Sequence, residues 1–239
     1  MMWVKKSHIS PLLHSMRAWM VKEFPAGSID FVLLNPSYLC YTALEEKVME
    51  LHSKNRFKKV IITDIAIKKV QRISYKGLTE EQNDILYRLS RMVLIKAQQE
   101  NDSNESAFTV DLDDPDGGIG EINGTEHFVD IDADATSYHL LRVGKKTAIV
   151  HNHPSTQTLS IQDIQLFLHF DSVIYIVVVS NQGTVHYLMK DNNYDFCAAE
   201  KLRAECCADL KRGVSSADDY YNAALDFLTH CSEVGMFYQ

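Results

Sequence analysis

The stretch His151-Asn152-His153-Pro154, followed by Ser160 and Asp163, constrains this chain more than any other. Residues 146–150 (Lys-Thr-Ala-Ile-Val) read as a buried strand that ends at His151, and Pro154 stops it because proline cannot donate to a ladder. Two histidines one residue apart project to the same side of a strand. Ser160-Ile161-Gln162-Asp163 then opens an amphipathic helix carrying Ile164, Leu166, Phe167, Leu168 and Phe170. An aspartate in that first turn can swing in as a third ligand. Neutral imidazoles and a carboxylate suit Zn2+, and three protein ligands leave a fourth position for water, the mark of a catalytic site. Each half also has a plainer reading. Ser-x-x-Asp before an apolar run is close to a capping box, and a lone His-x-His pair is often a packed or surface pair.

His151-x-His153-Pro154 followed by Ser160-x-x-Asp163 resembles the signature of the JAMM (MPN-plus) zinc metallopeptidases. The Asn152 and Pro154-Ser155 variant is similar to the RadC-like branch of that family. The loop 154–159 is one residue shorter than the family's usual spacing. The resemblance spans roughly residues 78–190 and implies an α/β fold of JAMM/MPN-like (cytidine-deaminase-like) type, a mixed curved sheet flanked by helices. It implies Zn2+ on His151, His153 and Asp163, with an upstream glutamate as general base. Glu105 stands where that glutamate belongs, after a long helix and at the entry to a core strand. Glu121 and Glu126 are rivals, set in a Gly-flanked polar hairpin. Ser160 would donate to the oxyanion, cap the helix, or do both.

The implied reaction is hydrolysis of a peptide or isopeptide bond by metal-activated water. The substrate would be a protein or peptide, in the family often a ubiquitin-like protein. The short segment from Glu105 to His151 favours a prokaryotic or phage-type member. The alternative is a RadC-like or assembly-associated module that binds metal without cleaving peptides.

Bulk properties narrow the field. A formal net charge of -8 sets nucleic acid and anionic membrane aside as expected partners, since phosphate binding needs a basic footprint. The five cysteines (Cys40, Cys197, Cys206, Cys207, Cys231) are odd in number and irregular in spacing, which points to a reducing, cytoplasmic setting. The longest apolar run, 173–179, is strand-sized, so no membrane span is expected. The acidic turn at 111–118 lacks the glycine and glutamate of a calcium loop, because Asp116 and Ile122 stand at those positions.

The expected organisation is an N-terminal accessory region (1–75), a JAMM-like domain (76–192) and a C-terminal helical extension (193–239). In the first region, 10–21 and 41–53 have helical character and 31–34 is strand-like. Residues 59–63 read as a strand, with the weakly alternating 66–74 as its pairing partner. Thr79 with Gln82 caps the clearest helix, with Ile85, Leu86, Leu89, Met92, Val93 and Ala97 on one face. Strands are expected at 104–110, 126–131, 146–150, 173–180 and 184–190, and a helix at 135–143. Helices at 194–212 and 216–234 follow. Tyr220, Ala224, Phe227, Leu228 and Cys231 stripe the second, as a core face or as the contact of a homo-oligomer.

Overall fold

The computed structural model describes residues 57–239. The expectations for 10–21, 31–34 and 41–53 lie outside these residues. Among the described residues six strands form a mixed sheet in the order β2-β1-β3-β4-β5-β6. They are β1 (Ser106–Asp111), β2 (Ile119–Asn123), β3 (Thr147–His153), β4 (Val173–Ser180), β5 (Val185–Lys190) and β6 (Met236–Tyr238). Only β3 and β4 pair in parallel, and every other neighbouring pair is antiparallel.

Two apolar layers enclose this sheet. On one face α1 (Asp64–Lys69) and α2 (Glu80–Glu100) pack through Ile67, Leu86, Leu89 and Val93 on Phe108, Val150 and Val177. On the other, α3 (Ala135–Val143), α4 (Ile161–His169), α5 (Phe196–Cys206) and α6 (Ala217–His230) cover Ala107, Ile149, Ile176 and Val178. All seven residues of β3 are buried, as a strand covered on both sides must be. The architecture is therefore an α/β sandwich.

The helix starts follow from local chemistry. Thr79/Gln82, Ser160/Asp163 and Ser216/Asp219 each form a complete capping box, with the side chain of one residue bound to the backbone of the other.

Four segments differ from expectation. Residues 59–63 form no regular element and join no ladder. Their hydrogen bonds go to loops, with the Val60 amide donating to the Pro154 carbonyl at 2.7 Å and the Ile62 amide to Ser103 Oγ at 3.1 Å. The partner expected at 66–74 is instead α1, started by the Thr63 hydroxyl accepting from the Ala66 amide. Residues 126–130 form no strand, because Thr125 turns the chain by bonding the Phe128 carbonyl. The C-terminal segment is not purely helical. Gly235, at φ 74°, reverses the chain after α6 and delivers β6 to the edge of β5. A side chain there would be strained by that φ and would also collide with the Asn193 carbonyl.

Packing crosses both expected boundaries. Ile62, Ile67, Val70 and Tyr75 lie in the same cluster as β1, β3 and β4, and β6 closes the sheet.

Candidate metal centre

The crossover β3–loop–α4–β4 joins the two parallel strands and sets the site. Ligands in α/β sheets gather at the carboxyl ends of such strands, beside the N-terminus of the crossover helix. His151 and His153 occupy the last three residues of β3, and Asp163 the first turn of α4. His151 pairs with Ala107 on one side and Val178 on the other, both core residues beneath α3–α6, so the imidazoles point to that face.

The three side chains converge. His151 Nε2 lies 3.0 Å from Asp163 Oδ1, His153 Nε2 lies 3.2 Å from Oδ2, and the two Nε2 atoms are 3.1 Å apart. His151 is 2% exposed and His153 6%. A tetrahedral ion with bonds of about 2.0–2.1 Å holds its ligand atoms about 3.3–3.4 Å apart; the Nε2–Nε2 spacing, and one Nε2–oxygen spacing for either carboxylate oxygen, come within a few tenths of an ångström of that. Each ring's Nδ1 is buried without a hydrogen-bond partner among the described residues, while its Nε2 turns to the carboxylate. A shared cation would satisfy both Nε2 atoms and the carboxylate at once. Among the described residues these three form the group able to hold a metal ion.

Asp163 is fixed before any ion is considered. Its Oδ2 accepts from the Ser160 amide and the Ser160 hydroxyl, each at 2.7 Å. Ser160 Oγ in turn accepts from the Asp163 amide at 3.1 Å. Burial works to raise the Asp163 pKa, but the two imidazoles outweigh it and hold the carboxyl well below the usual range. The N-terminus of α4 adds favourable dipole. The capping and ligand readings of Ser160-x-x-Asp163 thus describe the same two residues. The hydroxyl has one proton, and it is directed at the carboxylate.

No protein-family model, curated protein or solved structure matches this chain.

Of the candidate bases, Glu105 and Glu121 fall on opposite faces. Glu121 pairs with Phe108, which belongs to the α2 side, and its carboxylate bonds Lys96 of α2. It therefore points away from the histidines. Glu105 precedes β1 and continues its pairing, donating to the Thr125 carbonyl and accepting from the Gly124 amide. Since Ala107 faces His151, the β alternation puts Glu105 on the same face, opposite His153. Glu105 is 8% exposed. Glu126 lies in the turn after β2 and is partly exposed.

Two features of the site were not read from the sequence. The first is a wall formed by β5 and β6. His186 pairs with Val178, one strand over from His151, and stacks on Tyr238, whose hydroxyl is 2.7 Å from Thr158 Oγ1 in the ligand loop. Burial lowers the His186 pKa. Nothing in the local pattern marks this wall, since it depends on where β6 docks. The second is a buried amide pair, Asn152 and Asn181. Asn152 stood between the ligands in plain view, but only its contacts reveal its job.

Proposed function

We propose that the protein is a zinc-dependent hydrolase of peptide or isopeptide bonds, of JAMM-like type, acting on a protein or peptide such as a ubiquitin-like conjugate. The observation that carries this reading is the convergence of His151, His153 and Asp163 at 3.0–3.2 Å with Glu105 on the same sheet face. The α/β sandwich with its mixed sheet supports the JAMM/MPN-like assignment without deciding it.

In this reading His151, His153 and Asp163 hold the ion, and their number leaves a position for a reactant. Bound Zn2+ supplies Lewis acidity, polarising a scissile carbonyl and drawing the pKa of water toward neutrality. Glu105 takes the proton from the attacking water and passes it to the leaving amine. Ser160 orients Asp163 through its hydroxyl, and serving an oxyanion would require that hydroxyl to rotate away.

The test is protein purified without chelator. Elemental analysis should find one zinc per chain. Glu105→Gln should keep zinc and fold while turnover of an isopeptide-linked diubiquitin or a quenched peptide falls about 10²–10⁴-fold. A chain without metal overturns the reading. Stoichiometric zinc without turnover on either substrate selects the alternative, a RadC-like or assembly-associated metal module.

A further inference from the structure

We infer that Asn152 is a positioning residue that clamps the Glu105 backbone to the metal-ligand strand, with Asn181 as its buried support. Its catalytic consequence rests on the hydrolase reading above; the clamp itself does not.

The β1–β3 ladder has its last pair at Ala107 and His151. One step further out, the Asn152 side chain takes over. Its Oδ1 accepts from the Ser106 amide at 2.8 Å, and its Nδ2 donates to the Asn104 carbonyl at 3.0 Å. The Ser106 amide and the Asn104 carbonyl belong to the two peptide groups that flank Glu105. One side chain thus holds both planes that set where the Glu105 carboxylate starts. On the opposite edge Glu105 is held by Thr125, Gly124 and Asn101 Nδ2, so its backbone is fixed from both sides.

Asn152 sits between His151 and His153, and its side chain lies on the other side of β3 from theirs. The ligand strand and the base segment therefore move as one body. Its remaining donor goes to Asn181 Oδ1 at 2.8 Å. Asn181 Nδ2 then bonds the Val60 and Ser103 carbonyls, each at 2.8 Å, and the Asn181 amide bonds the His153 carbonyl at 2.9 Å. Both side chains are buried, with 0% and 1% exposure. All donors of the two amides are used, and each oxygen accepts a bond.

Only a primary amide offers one acceptor and two donors in this fork. Reversing either would set N–H against N–H, so the orientations are dictated. Aspartate at 152 keeps the acceptor for Ser106 but turns both donors into acceptors that face oxygen. Serine is too short to span both peptide groups.

The experiment compares wild type, Asn152→Asp and Asn181→Ala in zinc-loaded protein. Zinc should stay at one per chain in all three. In Asn152→Asp, kcat on the quenched peptide should fall about 10–100-fold with little change in KM. The acid limb of its pH–rate profile, which reports the base, should shift. Asn181→Ala should move the same quantities less. Hydrogen exchange at the Ser106 amide gives a measure free of turnover. It should be protected in wild type like the interior of β1, and at least tenfold less in Asn152→Ala, which removes the acceptor. A Ser106 amide that exchanges freely in wild type overturns the clamp, even if Asn152→Asp fails to fold. Unchanged kcat and pH profile in a folded Asn152→Asp overturn the positioning role. If wild type hydrolyses neither substrate, the hydrolase reading falls and hydrogen exchange alone decides the clamp.

Discussion

Asp163 shows how one carboxylate serves two structures. It closes the first turn of α4 and faces both imidazoles. Asp163→Asn keeps the shape but removes the charge, and zinc measured by elemental analysis should fall toward zero while the helical circular dichroism persists. Glu121→Gln is the matching control. Its ion pair with Lys96 is half in solvent on the far face, so zinc content and turnover should hold and stability should change by no more than about 1 kcal/mol. Lys190 offers a different test. Its ammonium is buried, donates to the Phe170 carbonyl at 2.7 Å at the end of α4, and lies near the Phe167 and Tyr194 rings. Burial, opposed by Asp171, pushes its pKa down to about 8 from 10.5. Between those values the unfolded chain binds more protons, so this residue's contribution rises with pH from about 8 to 10.5 and is lost on the way back down. Urea unfolding should show wild type gaining on Lys190→Met across that window, by up to about 1.4 kcal/mol per pH unit. A pH-independent difference between the two proteins would refute the lowered pKa.

Among the elements, those that announce themselves carry their own boundary chemistry. Thr79/Gln82, Ser160/Asp163 and Ser216/Asp219 mark three helix starts that the structure realises as capping boxes, and the apolar runs of β3 and β4 read directly as buried strands. The clustering of His151, His153 and Asp163 was legible for the same reason, because a strand end and a helix start fix where they point. What could not be read depends on partners distant in sequence. The run at 59–63 has strand-like composition, yet its Val60 and Ile62 amides find Pro154 and Ser103 instead of a ladder. Met236–Tyr238 is too short for any pattern and becomes a strand only because Gly235 turns it onto β5. That Glu105 and Glu121 take opposite sheet faces needed the β1 register, which spacing does not contain. At this scale Ser160→Ala should destabilise α4 by about 1 kcal/mol. It should also weaken zinc binding about 10–100-fold in competition with a chelating dye, since the same hydroxyl steadies the ligand. Unaltered affinity would separate the cap from the cage.

For the whole molecule, the site rests on a framework that does not need the ion. β3 is buried on both faces, and the cores above and below it are continuous with the helices around it. Chelator treatment should therefore lower the melting temperature, as loss of any native-state ligand does, while far-ultraviolet dichroism below the transition stays unchanged. Collapse of the dichroism at room temperature would instead make the metal a folding nucleus. No helix among the described residues is long and apolar enough to cross a membrane. Phe57 is wedged against Ala217 and edge-on to Tyr221. Three residues later the Val60 amide grips the Pro154 carbonyl, next door to His153. Residues 57–60 are thus moored within a few bonds of the candidate metal site, and a pull on them would be felt first at the peptide beside His153.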